Sequence, residues 1–215
     1  MRLKSVYQSL LKTYGQQQWW PADTPFEVMV GAILTQNTAW DNVERALDNL
    51  KKAKALSPDV IIETPNDKLA RWLKPSGYFN IKADRLKQYC QWYVEHNYYD
   101  GLKYRHSLPL REMLLSVKGV GPETADDILL YAFNRKIFVI DAYTRRIFGR
   151  LGLIDKSSDY DELRMLFEEE LKKETVNVFN EYHALIVMHA KQICKTRPDC
   201  EQCCLQMKCE QKGVV

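Results

Sequence analysis

Apolar residues recur at spacings of three and four along most of the chain, which predicts a succession of amphipathic helices. Leu3, Val6, Leu10 and Tyr14 share one face, and Gly15 ends that run. Phe26, Met29, Val30 and Ile33 mark a second helix. Trp40, Val43, Leu47 and Leu50 mark a third, which Thr38 is placed to cap, with Asp41 three residues on. Ser57-Pro58 and Asn66-Asp67 open two short helices, the second ending near Leu73. Lys74-Pro75-Ser76-Gly77 is turn chemistry. A longer helix is expected from Phe79 to about Asn97, with Ala83, Leu86, Cys90 and Tyr93 inward. Residues 142–151, 161–173 and 176–191 read as further helices, and only 137–140 reads as extended. The pattern predicts an all-α protein without repeats or low-complexity tracts.

The centre of the pattern lies at 110–145. Leu110, Met113, Leu114 and Val117 form one stripe, and Ala125, Ile128, Leu129 and Ala132 form another. Between them Lys118-Gly119-Val120-Gly121 makes a tight hairpin, because glycine tolerates backbone angles that other residues resist. Pro122 and Glu123 suit the first turn of the second helix. Backbone amides at the hairpin and the helix start form an anion site, and phosphate is the obvious anion. The apolar run 137–140 then delivers Asp141. An Asp there suits the N-cap of the following helix, and that role is compatible with a catalytic one.

Composition constrains the picture only in part. The 215 residues are 46% hydrophobic and 27% charged, ordinary for a folded protein with a core that needs no disulfide staples. No apolar run reaches the length of a membrane span, and the opening MRLKSVYQSLLKTYG reads as an amphipathic helix, so a cytoplasmic protein is expected. A net charge of +3 does not by itself identify a partner, but Arg135, Lys136, Arg145, Arg146 and Arg150 flank the hairpin and Asp141. Five of six cysteines crowd into 194–209, leaving Cys90 alone in a helical pattern as a buried residue. Cys194, Cys200, Cys203 and Cys209 read C-x5-C-x2-C-x5-C, a thiolate set that suits a [4Fe–4S] cluster or a zinc ion.

The stretch LLSVKGVGPETADDILLYA followed by VIDAYTRR resembles the helix-hairpin-helix and aspartate of the endonuclease III superfamily of DNA glycosylases. The likeness runs from about Trp19 to Cys209. It implies two helical domains with a DNA groove between them: 25–136, carrying the hairpin motif at about 110–133, and 1–24 joined to 137–215, carrying the cluster loop. It implies that Lys118, Gly119, Val120, Gly121, Glu123 and Thr124 grip DNA backbone, with a monovalent cation at the hairpin carbonyls. Gln36, in ILTQNT, matches a side chain that fills the gap left by an extruded base. Asp141 matches the catalytic carboxylate, which stabilises positive charge on the deoxyribose and orients or deprotonates water.

One position departs from the lyase pattern. Members that also cleave the strand carry a lysine two residues after the second hairpin glycine, where this chain has Glu123, and a carboxylate forms no imine. A monofunctional glycosylase using water is therefore expected. Trp19-Trp20-Pro21, ILTQNT followed by Trp40, KPSGYFNIKADRL and GPETADDIL together resemble the 3-methyladenine DNA glycosylase III branch. That resemblance places Trp20, Pro21, Trp40 and Lys191 in a base pocket, and stacking on tryptophan suits cationic N-alkylated purines. The first cysteine interval is one residue shorter than the family's usual one, and Cys204 adjoins Cys203. The expected partner is damaged double-stranded DNA, which would place a cytoplasmic monomer at the nucleoid. Two rivals remain: an endonuclease III-like enzyme acting on uracil or thymine mismatches or oxidised pyrimidines, with AP lyase activity, and a non-catalytic DNA-structure-binding protein.

Overall fold

The computed structural model describes residues 2–17, 19–20 and 22–214. In chain order its helices are α1 (Leu3–Tyr14), α2 (Pro25–Leu34), α3 (Trp40–Lys52), α4 (Pro58–Glu63), α5 (Asn66–Leu73), α6 (Phe79–Glu95), α7 (Tyr98–Leu102), α8 (Ser107–Leu115), α9 (Pro122–Asp127), α10 (Ala142–Arg150), α11 (Tyr160–Glu170) and α12 (Val176–Gln192). No strand occurs among the described residues, so the fold is all-α. No described helix is long and apolar enough to cross a membrane. The chain divides into two compact units, one of residues 22–134 and one of 1–21 with 135–215.

The 22–134 unit is built around α2. Thr24 caps it by accepting from the Glu27 N–H, Pro25 opens it, and every residue from Phe26 to Leu34 is buried. Its one charged residue, Glu27, is paired with Lys51 at 2.6 Å. A helix buried on all sides needs neighbours on all sides. Here α3, α6, α9 and the π turn Ile128–Ala132 that continues α9 supply them. Phe26 stacks on Tyr93 of α6 at 5.5 Å, beside the buried Tyr89 and Cys90. The hairpin helices α8 and α9 are joined by a bidentate buried ion pair, Arg111 to Asp126, at 2.6 and 3.1 Å.

In the other unit, Phe138 packs among Phe167, Phe179 and Tyr182, with Phe148 on the far side of Phe167. The run 137–140 is extended, as its composition predicts, but no partner strand satisfies it. The Phe138 N–H donates to Glu168 and the Ile140 N–H donates to the Tyr160 hydroxyl. Side chains thus meet the demand that buried amides be bonded. Tyr182 ties α12 to α1 by donating to the Leu3 carbonyl at 2.6 Å.

Local expectations shift at helix ends. Ala39, not Thr38, is the N-cap of α3, and no side chain bonds there; the Thr38 hydroxyl accepts from Asn42 instead. The long helix stops at Glu95, because Asn97 turns into the left-handed region and starts α7.

Candidate functional site

Asp141 caps α10: its Oδ1 accepts from the Thr144 N–H at 2.6 Å. The core around Phe138 fixes the preceding residues, so the carboxylate sits at a set point and is itself buried. Its Oδ2 lies 3.6 Å from Nε2 of His183, a buried residue of α12. Burial pushes the Asp141 carboxyl up. The His183 contact, His183 charge and the Thr144 N–H together outweigh it, and the group is held below its ordinary value. Asp141 is therefore a carboxylate at neutral pH. His183 had no distinguishing signal in the sequence, being one histidine in a largely apolar helix.

The hairpin differentiates its two glycines. Gly119 has φ +94°, and a Cβ there would lie 2.6 Å from Cγ of Arg85. Gly121 has an ordinary φ of −93°, and nothing lies within 4 Å of the position its Cβ would take. The first glycine is demanded by the turn, while the second leaves open space for an approaching ligand. Lys118, Gly121, Pro122 and Glu123 are exposed, whereas Val120 and Thr124 are buried. Glu123 stands in the first turn of α9, where a carboxylate suits the helix dipole.

Gln36 docks onto this hairpin. Its Nε2 donates to the Gly119 carbonyl at 2.9 Å and to the Thr124 hydroxyl at 3.0 Å, and its Oε1 accepts from Arg85 at 2.5 Å. Beside it, the buried Lys82 ammonium donates to the Leu34 carbonyl at 2.8 Å and the Ser76 carbonyl at 2.7 Å. Burial, with Arg85 nearby, lowers its pKa to about 8. Lys82 thereby ties the end of α2, which precedes Gln36, to the 74–77 turn. That turn ends in Tyr78, an aromatic 68% exposed and held at φ +43°. An exposed tyrosine held in the left-handed region is a signal that hydrophobic periodicity does not carry.

The remaining expected pocket residues fall in different units. Trp40 is the first residue of α3 in the 22–134 unit and is half-buried. Trp20 belongs to the other unit, half-buried at φ +68°. The exposed Lys191 ammonium stands over the ring of Trp19, at 5.9 Å. Pro21 lies outside the described residues.

Cys194, Cys200, Cys203 and Cys209 line one pocket together with Arg150, Ile193 and Pro198. Cys204 is exposed and does not line it. Arg150 donates to Cys194 Sγ at 3.3 Å and to the carbonyls of Lys195 and Thr196. The Leu205 N–H donates to Cys203 Sγ at 3.4 Å. Arg150 Nε, in the same pocket lining, is buried with no acceptor among the described residues. Burial and the neighbouring cysteines push the Cys203 thiol up to about 11. Four sulfurs, cationic and amide donors aimed at them, and an unmatched donor make a setting for an electron-rich anionic group. No three His, Cys, Asp or Glu side chains among the described residues converge as tightly as a single ion requires.

The family described as HhH-GPD superfamily base excision DNA repair protein matches residues 30–173. A protein of Methanocaldococcus jannaschii, provisionally named a DNA repair glycosylase, is 48% identical over 211 residues, covering 96% of this chain and 95% of its own. The endonuclease III of Thermotoga maritima is 31% identical over 189 residues, 86% of this chain and 83% of its own. Among solved structures, the H. pylori 3-methyladenine DNA glycosylase bound to 1,N6-ethenoadenine is similar with TM-score 0.80 and 29% identity, over 89% of this chain and 98% of its own. An endonuclease III–DNA complex shares the fold with TM-score 0.82 at 21% identity, over 98% of this chain and 95% of the other.

Proposed function

The chain belongs to the HhH-GPD superfamily of base excision DNA repair proteins, and on that premise we propose that it is a monofunctional DNA glycosylase releasing alkylated purines, 3-methyladenine above all. The observation that carries this reading is a buried carboxylate, Asp141, kept ionised by His183 and the Thr144 N–H, in a chain with Glu123 where a lyase needs an amine.

The damaged nucleotide is turned out of the duplex, since its glycosidic bond is out of reach inside the stack. Amides of 118–124 hold DNA phosphates, aided by the open backbone at Gly121 and by a monovalent cation at the hairpin carbonyls. Tyr78 and Gln36 occupy the space the base leaves, with Gln36 exchanging its hairpin hydrogen bonds for those of the widowed base. Trp20, Pro21 and Trp40 stack on the electron-poor purine, with Lys191 at the edge of the pocket. Asp141 stabilises the developing positive charge on the sugar and accepts a proton from the attacking water. Its preset position and charge mean that little reorganisation is required in the transition state.

The likeness to the H. pylori 3-methyladenine DNA glycosylase supports the base assignment. Cys194, Cys200, Cys203 and Cys209, which line one pocket and two of whose sulfurs accept from the Arg150 guanidinium and the Leu205 N–H, would hold a [4Fe–4S] cluster. Once bound, the cluster supplies a structural crosslink for the loop 194–209 rather than a chemical step.

A second reading, an endonuclease III-like enzyme acting on pyrimidine lesions with strand cleavage, draws on the likeness to the Thermotoga maritima protein. Incubation with duplexes carrying 3-methyladenine, 1,N6-ethenoadenine, uracil, thymine mismatches and oxidised pyrimidines, with and without borohydride, separates the two. Release of alkylpurines without a borohydride-trapped adduct is expected. A trapped covalent complex, or release confined to pyrimidines, would overturn the proposal.

A further inference from the structure

His189, Tyr14 and Cys203 form a connected unit apart from Asp141 and the hairpin. His189 is in the last turn of α12 and is 1% exposed. Its Nε2 lies 3.6 Å from Cys203 Sγ, and its Nδ1 lies 2.8 Å from the hydroxyl of Tyr14, the last residue of α1. The direction of both bonds follows from chemistry. A thiolate that ligates a metal has lone pairs and no proton, so Nε2 must carry the hydrogen. A neutral ring with hydrogen on Nε2 has a bare Nδ1, so the Tyr14 O–H must donate to it.

The same pair of segments is joined at further points. Lys191, two residues after His189, covers the ring of Trp19, and the Gln17 N–H donates to Glu181 at 2.6 Å. The segment following Tyr14 is the one that carries Trp19 and Trp20. One buried imidazole therefore bridges the cysteine loop to the end of α1, and the Gln17 bond to Glu181 and the Lys191 contact with Trp19 tie the tryptophan segment that follows to the same helix, α12.

We propose that His189 is a positioning residue of the cluster centre, donating to the Cys203 thiolate and oriented by Tyr14, so that the cluster anchors the tryptophan segment. This rests on the cluster reading given above. Two consequences separate it from mere packing. Hydrogen bonds to a ligating sulfur raise a cluster's reduction potential by stabilising the more negative state. Outer partners of metal ligands also slow metal loss, and removing them typically changes retention by about tenfold or more.

The test uses the iron-loaded full chain and the variants Tyr14→Phe, His189→Ala and His189→Gln. Glutamine keeps an N–H donor close to the Nε2 position, while phenylalanine removes only the hydroxyl. Iron content and visible absorbance are measured first on the wild type. The rate of absorbance loss in excess EDTA and the voltammetric midpoint potential then follow. Tyr14→Phe and His189→Ala should lose the cluster about tenfold faster and shift the potential negative, with His189→Gln returning towards wild type. Tryptophan emission should change in step with cluster loss. Wild-type rates and potentials in Tyr14→Phe and in whichever His189 variant folds would overturn the inference and leave the cluster reading intact. A wild-type chain without iron would overturn both.

Discussion

Asp141 and His183 approach within 3.6 Å across a buried contact, carboxylate Oδ2 to imidazole Nε2, from two different helices. The carboxylate would otherwise be neutralised by burial, which is the largest single influence on it. The negative charge on Asp141 is thus maintained by the local Thr144 N–H and by His183, which the sequence separates from it by about forty positions.

His183→Leu tests this through pH. A carboxyl depressed below its usual 3.8 stays ionised as pH falls, so the wild-type single-turnover rate should hold down to that region. Removing His183 leaves burial dominant, raises the Asp141 pKa and moves the acid limb of the pH–rate profile upward. His183→Gln, which keeps a polar side chain in place of the imidazole, should fall between. The stability linkage has the same sign. A depressed folded value contributes stability that is fully present above 3.8 and is lost as pH falls through the folded pKa. An unmoved acid limb in His183→Leu would remove the histidine from this role.

Asp141→Asn separates chemistry from folding. Asparagine is as good an N-cap as aspartate, so α10 should persist and the melting temperature should stay within about 2 °C. Excision should fall by about 10²-fold or more, the scale of losing one preorganised charge, while binding of lesion DNA is retained. Single-turnover assays beside a gel-shift titration decide it.

The two hairpin glycines should answer differently to alanine. Gly119→Ala meets a positive φ and the Arg85 stem, and should cost about 1–2 kcal/mol of stability in a denaturant melt. Gly121→Ala adopts its backbone angles without strain and meets nothing, so stability should change by under about 0.5 kcal/mol. Its methyl instead occupies the open space at the proposed phosphate contact, and duplex affinity should drop. A Gly121→Ala variant with wild-type affinity would contradict phosphate approach at that position.

The ligand set is tested by a pair of neighbouring cysteines. Cys203 lines the pocket and Cys204 is exposed. Cys203→Ala should lose iron and visible absorbance, whereas Cys204→Ala should retain both. The reverse outcome would place the third ligand at 204 instead of 203.

Much of this was legible in the sequence, because helices announce themselves through local spacing. The stripe of Leu110, Met113 and Leu114 predicts α8, and Asp141 after an apolar run predicts its own capping of α10. Helix ends were less legible. Ala39 caps α3 without a side-chain bond, since tertiary packing pins that helix irrespective of local capping. The run 137–140 is extended but unpaired, because Glu168 and Tyr160 supply what a strand would have supplied.

Residue types and their short-range order determined the all-helical architecture, the hairpin, the four-cysteine set and the carboxylate at 141. Only the tertiary structure decided that His183 keeps that carboxylate charged, that Gln36 rests on the hairpin under Arg85, and that Lys82 ties Leu34 to Ser76. Periodicity reports which face of a helix is apolar. It does not report which polar atom from a distant segment arrives at that face, and electrostatic tuning depends on that arrival at ångström range.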